Sequence, residues 1–182
     1  LHPQRRRQRQ MCIRDSQYGY VSSFDANGFT LTTGDSPSSV NESGEDYVTW
    51  CWKASTSTTS NSDGSIASEV RTGNGFSIVK YTGTGAAGTV GHGLQGNPGL
   101  ILLKPINNTS DWMVLHSSAS TNDYPYYQNV LALNLSGNFG GFTGTGNAYP
   151  WNGTEPTSTV FSVSNAGSDN NRSASDSNTT YI

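Results

Sequence analysis

Glycine-rich turns separate short apolar segments between residues 75 and 104, and this spacing constrains the fold more than any other feature. The stretch reads GFSIVKYTGTGAAGTVGHGLQGNPGLILLK. Phe76 and Ile78 alternate with small or polar residues, which is the period of a half-buried β-strand. Lys80 or Tyr81 continues this alternation. No amphipathic helical period extends beyond a turn or two, so the pattern predicts strands joined by tight turns.

Two turns divide this stretch into three predicted strands. Residues 82–85 (TGTG) turn the chain because glycine adopts positive φ without a Cβ penalty. Residues 97–99 (NPG) turn it again, since proline fixes φ and glycine supplies the reversal. Residues 89–94 between them form a second strand. Leu100–Leu103 is an apolar run short enough for a strand buried on both faces.

The composition favours an extracellular or virion-type all-β domain over a cytosolic helical one. The 182 residues include 21 Gly and abundant Ser, Thr and Asn, and only 13% are charged. No apolar run approaches the ~20 residues of a membrane helix. No apolar core follows the basic start, as it would in a signal peptide.

The positive charge is concentrated in residues 1–16, which carry five Arg and one Asp, a net charge of +4. The remaining residues carry a net charge of −7. An Arg-rich arm ordinarily suggests nucleic-acid binding. However, RRRQRQMCIRDS resembles translated sequencing-adapter read-through, so we interpret residues 1–16 as a disordered artefact and exclude them from fold reasoning. The acidic body then argues against nucleic-acid and membrane partners.

The cysteine count excludes a disulfide framework and a zinc site. Cys12 lies in the arm, which leaves Cys51 as the single cysteine of the body. A lone cysteine in a strand-like context is most often a small buried hydrophobe. We therefore predict no metal and no cofactor.

Residues 17–54 are predicted to be the C-terminal strands of an upstream repeat unit. Residues 47–53 (YVTWCWK) form a β-branched and aromatic strand. Its Val48, Trp50 and Trp52 share one face, which we expect to lie in the core.

A second repeat unit is predicted over residues 65–182, after a Ser/Thr/Asn-rich linker at residues 55–64. Its first strand should point Ile66 and Val70 inward. A long Gly/aromatic loop is expected at residues 136–150. Further strands are expected at residues 112–116, 124–135 and 159–163.

The division into units rests on an internal repeat. Residues 29–31 (FTL), a polar loop and Tyr47-Val48 match residues 161–163 (FSV), a polar loop and Tyr181-Ile182. The offsets are 132 at the Phe and 134 at the Tyr. A period of this size indicates tandem whole domains. We therefore expect the second unit to lack its last strand at the point where the sequence stops.

The combined motifs resemble a known β-rich repeat domain. GFSIVKYTGTGAAGTVGHGL, GLILLK, DWMVLH and PTSTVFSV are similar to a domain without assigned function in virion and tail-fibre-like proteins of marine bacteriophages. The resemblance covers about residues 24–182. It implies an antiparallel β-sandwich of the jelly-roll or lectin-like kind and carries no catalytic residues to transfer.

Two histidines are candidate ligands. His92 lies between two glycines, and His116 ends a predicted strand. A metal site needs partners at ligand spacing, and neither histidine has them. For both, the favoured alternative is a strand-end histidine, with the His92 ring hydrogen-bonded to backbone carbonyls.

Catalytic patterns are weak. Glycoside hydrolysis requires paired carboxylates, but Asp111, Asp123 and Glu155 each sit in turn-like contexts, where acidic residues cap backbone amides. The sequence contains neither the GxSxG nor the HExxH motif, and its glycine-rich loops lack the Lys-Ser/Thr ending of a phosphate-binding loop.

Loop aromatics are the strongest binding candidates. Tyr124, Tyr126, Tyr149 and Trp151 lie near Asn and Asp residues. Aromatic rings stack on apolar sugar faces while amides bind hydroxyls. The alternative is that these rings pack inside the domain or between subunits, which we favour for Trp151 because PWNG predicts an anchored corner.

These observations predict a non-enzymatic module of a phage virion or tail-fibre protein. Its expected partners are other virion subunits, in a homotrimer, and a host surface polysaccharide. A virion-associated polysaccharide depolymerase and a secreted lectin or adhesin domain are the alternatives. Converging carboxylates would favour the first, and a signal peptide in the uninterrupted reading frame would favour the second.

Deleting residues 1–16 should leave the free energy of unfolding unchanged to within about 0.5 kcal/mol, because the arm is expected to make no packed contacts. Urea unfolding of the two chains measures this. A clearly larger loss would contradict the artefact interpretation.

Overall fold

The computed structural model describes residues 19–33, 42–107, 110–119, 125–126, 129–133, 140–141, 151–164 and 180–181. Over these residues the elements are β-strands, with no helix, and their ladders are antiparallel. The all-β antiparallel prediction is confirmed, whereas the sandwich arrangement stays a prediction. The strands are β1 (Tyr20–Asp25), β2 (Gly28–Thr32), β3 (Thr59–Asn61), β4 (Ser68–Gly73), β5 (Phe76–Thr82), β6 (Gly88–Gly91), β7 (Leu100–Leu103), β8 (Met113–His116), β9 (Asn129–Ala132), β10 (Gly140–Gly141), β11 (Val160–Val163) and β12 (Thr180–Tyr181).

The chain divides into two compact units, Leu1–Cys51 and Trp52–Ile182. The first unit contains the hairpin of β1 and β2. In the second, the described strands form sheets of order β12-β5-β4-β3, β10-β9-β8-β7 and β11-β6. The position of this division does not test the predicted repeat units, which stay a prediction.

The hairpin of the first unit is held by polar side chains at its turn. Thr30 Oγ1 donates a hydrogen bond to Asp25 Oδ2 at 2.8 Å, and Ser23 Oγ donates to Asp25 Oδ1 at 3.0 Å. The register shifts between Val21 and Ser23, which marks a bulge. Residues 29–31, which open the internal repeat, lie within β2.

The core of the second unit is built around Phe161 on β11. Its ring makes edge-to-face contacts with Tyr81, at a centroid distance of 6.1 Å, and with Trp151, at 6.4 Å. Such aromatic pairs add stabilisation beyond their buried area. The same cluster contains the buried residues Ile66, Val90, Leu103, Met113, Leu115 and Val163.

Close backbone contacts join residues 64–66 of this unit to β6. The Ile66 N–H donates to Thr89 O at 2.9 Å, and Ile66 forms a parallel bridge with Val90. A Cβ at Gly64 would overlap the Thr89 carbonyl. Gly64 is therefore needed for space at this point, next to the fully buried Val90.

Several sequence predictions are confirmed. Ile66 and Val70 point inward and are 7% and 6% exposed. The strand near residues 112–116 is present as β8. Strands are also present where the sequence predicts them at β5, β6, β7, β9 and β11.

Two predictions about strand faces are wrong. On β5 the inward side carries Val79 and Tyr81, while Ile78 and Lys80 are exposed. β7 was expected to be buried on both faces, but Leu100 and Leu102 are 51% and 41% exposed. Periodicity shows that a strand has two faces, whereas neighbouring sheets decide which face is covered.

The strand predicted at residues 47–53 is absent: these residues have no strand assignment. Val48, Trp50 and Trp52, expected in the core, are 79%, 75% and 63% exposed. Cys51 is exposed rather than buried. The residue types favour a strand, but a strand also requires a neighbouring strand to pair with.

Part of the segment predicted as a linker, residues 55–64, pairs in a sheet, while its role as a connection between repeat units stays a prediction. Thr59–Asn61 forms β3 and pairs with β4 in the register Ser60 opposite Glu69. The Ser55 N–H also donates to Thr72 O at 2.9 Å. Ladder bonds use backbone atoms, so an edge strand tolerates polar side chains. The loop expected at residues 136–150 likewise contains β10.

Leu115→Ala should lower the free energy of unfolding by about 2–5 kcal/mol, because it leaves a cavity at a fully buried position of β8. Leu133→Ala is the matched control: this leucine is 66% exposed, and its replacement should cost less than about 0.5 kcal/mol. Urea midpoints measure both values. Equal losses would show that the core lies elsewhere.

Candidate functional site

Trp151, one of the predicted ligand-binding residues, lies in the core. It is 1% exposed and packs edge-to-face on Phe161. A ring buried in this way has no free face to stack on a sugar, and the alternative of an anchored corner describes it. Its indole Nε1 is buried without a hydrogen-bond partner among the described residues.

A tight turn follows this anchor. Asn152 and Gly153 have positive φ values of 51° and 56°, in the left-handed region that Asn and Gly tolerate best. The Thr154 N–H donates to Trp151 O at 3.1 Å and closes the turn. The turn places Glu155 at the surface, a short distance along the chain from the buried Trp151.

Tyr126 is the one predicted ligand-binding tyrosine within the described residues. It is half-buried against the core, and its hydroxyl donates to Glu155 Oε1 at 2.7 Å. The carboxylate therefore fixes the ring at the surface corner. Tyr124 and Tyr149 lie outside the described residues, as does Asp123.

His92 is a structural residue. It is 3% exposed; its Nδ1 accepts the Leu94 N–H at 3.0 Å, so the ring proton lies on Nε2 and is donated to Thr157 O at 3.1 Å. Burial removes water from the charged form and lowers the pKa of His92, opposed by the Thr157 carbonyl and the Asp63 charge. The expected backbone-bonded histidine is confirmed.

His116 is likewise a strand-end residue, as predicted. It is exposed at the end of β8, and its Nδ1 accepts the Ser118 N–H at 3.1 Å. This bond belongs to the turn that follows the strand. The Nδ1 atom of His116 therefore has a hydrogen-bond partner within its own turn.

A groove of about 430 Å³ opens on the β3-β4-β5 sheet. Its lining comes from residues 60–62, 67–69 and 80–82, and Ala67 alone lacks a polar side-chain atom. Lys80 Nζ lies 3.1 Å from Glu69 Oε2, with both side chains about half exposed. The opposite charges cancel, so the groove offers hydrogen-bonding groups without a net charge.

Part of this polar lining is already occupied. Ser68 Oγ donates to Gly91 O at 2.7 Å, and the Asn61 amide is bonded to Asp63 on both its oxygen and its nitrogen. Tyr81 is 3% exposed and forms part of the floor. The exposed polar residues of the lining include the Lys80–Glu69 pair, Ser60, Ser62 and Thr82.

The sequence does not reveal this groove, because its residues come from three separate segments. One of them, residues 60–62, was interpreted as linker. The available signal was the β-branched pair Thr58-Thr59 ahead of Ser60, which is weak without the pairing of β3 with β4.

The described part of the chain contains no group of three or more His, Cys, Asp or Glu residues arranged to hold a metal ion. In the same residues, no helix has the length and apolar character needed to cross a membrane. Asp111 and Glu155 are the described members of the acidic set considered for hydrolysis.

Comparison with known proteins gives one family. A family model described as a domain of unknown function (DUF7483) matches residues 7–182. The match is continuous across both predicted repeat units and includes ten of the sixteen residues interpreted as an artefact. No curated protein matches the chain, and no solved structure matches it.

The stability of the fold should decrease as the pH falls below the ordinary histidine value of 6.5. The pKa of His92 is lowered in the folded state, so the unfolded chain takes up its proton first, and stability is lost between 6.5 and the lower folded value. One proton contributes at most about 1.4 kcal/mol per pH unit. Urea midpoints from pH 7 to pH 5 measure this loss.

His92→Gln should show a smaller decrease over the same range, because glutamine does not titrate. His116→Gln, which replaces an exposed strand-end histidine, is the matched control for the substitution. Identical profiles for wild type and His92→Gln would contradict the assignment.

Proposed function

We propose that this chain, which belongs to a family of domains of unknown function (DUF7483), is a non-catalytic module of a phage virion or tail-fibre protein that binds a neutral host glycan. The observation that carries the glycan proposal is the polar, charge-balanced groove on the β3-β4-β5 sheet. The virion context is supported by the sequence resemblance to phage repeat domains.

The groove suits a polyhydroxylated ligand. Hydroxyl groups both donate and accept hydrogen bonds, so Ser60 and Thr82 match sugar hydroxyls in either role. Glu69 accepts and Lys80 donates, and their mutual pairing leaves no net charge to attract an anion. The body outside residues 1–16 carries a net charge of −7, which disfavours polyanionic ligands.

Tyr126 offers a second contact surface. Its ring is held by the bond to Glu155, and fixed aromatic rings lose little conformational entropy on binding. This corner is the described part of the aromatic set predicted from sequence. Its contribution is separable by mutation, because its residues are distinct from those lining the groove.

Weak sugar binding at each single site favours a multivalent assembly of this protein. Shallow polar grooves bind single sugars weakly, whereas repeated units raise avidity by roughly 10² or more when several sites engage together. Tandem domains in a homotrimer with other virion subunits, on the exterior of the phage tail, would meet this condition.

Native gels cast with dextran, galactan or mannan test the proposal. A tandem protein with several copies of residues 17–182 should be retarded in at least one gel, and a single copy much less. Glu69→Ala should remove the retardation without unfolding the domain, because exposed ion pairs contribute about 0–1 kcal/mol to stability.

Glu42→Ala, an exposed acid of the first unit, is the control and should bind as wild type does. Loss of retardation in Tyr126→Ala but not in Glu69→Ala would move the site to the aromatic corner. No retardation in any gel would overturn glycan binding and leave a structural role. Released reducing ends would identify a depolymerase.

A further inference from the structure

We infer that the polar groove seats one sugar ring over Ala67, and that the Lys80–Glu69 pair binds two adjacent hydroxyl groups of that ring. This inference rests on the proposed glycan binding and narrows it to a substrate class. The class is neutral glycans whose rings keep two neighbouring hydroxyl groups free. The groove itself is lined by residues between 60 and 82 alone.

Ala67 provides an apolar contact in an otherwise polar lining. It is exposed, whereas its neighbours Ile66 and Ser68 are 7% and 5% exposed. Adjacent residues of an extended chain point to opposite faces, so the Ala67 methyl group points to solvent. Its small size leaves room beside the longer side chains of Glu69 and Lys80. Small-molecule sites combine apolar contacts of this kind with a few placed polar groups.

The backbone on both sides of Ala67 is anchored to β6. The Ile66 N–H donates to Thr89 O at 2.9 Å, and Ser68 Oγ donates to Gly91 O at 2.7 Å. A ligand that contacts Ala67 therefore meets a surface that is already ordered. Binding to a preorganised surface loses less conformational entropy than binding to a mobile one.

Ser60, Glu69 and Lys80 form one row across the three strands. Ser60 lies opposite Glu69, and Glu69 lies opposite Lys80. All three residues are exposed, and directly opposite residues share one face of a sheet. Ala67 precedes Glu69 by two positions and so lies on the same face. The row therefore borders the Ala67 methyl group with one hydroxyl and two charged groups.

The ion pair presents a donor and an acceptor side by side. Lys80 Nζ lies 3.1 Å from Glu69 Oε2. Because a hydroxyl group both donates and accepts, one ring hydroxyl accepts from Lys80 while its neighbour donates to Glu69. Hydroxyls that are separated on the ring cannot reach both atoms at once. Hydrogen bonds to charged groups are the stronger ones, and an exposed ion pair contributes little to stability, so the pair opens at little cost.

Deoxy sugars test the hydroxyl pair. Methyl α-D-glucopyranoside has adjacent free hydroxyls, and its 3-deoxy analogue has none on the ring. The 6-deoxy analogue is the matched control, because it also lacks one hydroxyl but keeps the adjacent ones. NMR titration of the full chain, followed on the backbone amide signals of residues 67–69, should show about tenfold weaker binding for the 3-deoxy sugar alone, the loss of one hydrogen bond to a charged group. Equal affinities for the two analogues, or no shift of these signals, would overturn the inference.

Substitutions of Ala67 test the position of the ring. Ala67→Gln should weaken binding of methyl α-D-glucopyranoside about tenfold or more, because the longer side chain fills the space that the ring occupies. Ala67→Ser, a small replacement, should bind as wild type does. Ala87→Gln makes the same change at an exposed alanine outside the lining and should also bind normally. Unchanged affinity in Ala67→Gln, or an equal loss in Ala87→Gln, would refute the assigned position.

The outcomes separate this inference from the proposed function. Retardation of the tandem protein by a polysaccharide, combined with equal affinities for the 3-deoxy and 6-deoxy sugars, would leave glycan binding in place and overturn the substrate class. No retardation in any polysaccharide gel would overturn the proposed function and the substrate class together. Urea midpoints equal to wild type in both glutamine variants would show that a loss of binding is not a loss of folding.

Discussion

The edge-to-face packing of Phe161 between Tyr81 and Trp151 is the interaction on which the second unit depends. Phe161 comes from β11, Tyr81 from β5, and Trp151 from the turn before residue 155. One ring therefore ties a two-stranded sheet, a four-stranded sheet and a surface corner to a common core. Removing any of the three rings would loosen elements that share no ladder hydrogen bonds.

The candidate binding surfaces are consequences of that core. Tyr81 belongs to the lining of the polar groove while its ring packs in the core, and its neighbour Lys80 is exposed because adjacent residues of a strand point to opposite faces. Trp151 anchors the turn that presents Glu155 to Tyr126. His92 secures the other end of this segment through Thr157 and Thr159. Rigid apolar packing thus positions exposed polar groups.

Local sequence was enough to predict the fold class and most strand positions, because alternation, β-branched residues and glycine turns act locally; Ile66, Val70 and β8 were predicted on this basis. It also favoured a structural role for His92, because no partners lie near it at metal-ligand spacing. Long-range packing set which side of β5 is covered, that Trp151 is core, that Trp50 is exposed, and that residues 59–61 form a strand. Long-range packing also formed the polar groove, since the groove is assembled from three separate segments. Burial and strand pairing depend on which other strand or sheet lies next to a segment, and the sequence of the segment does not specify that neighbour.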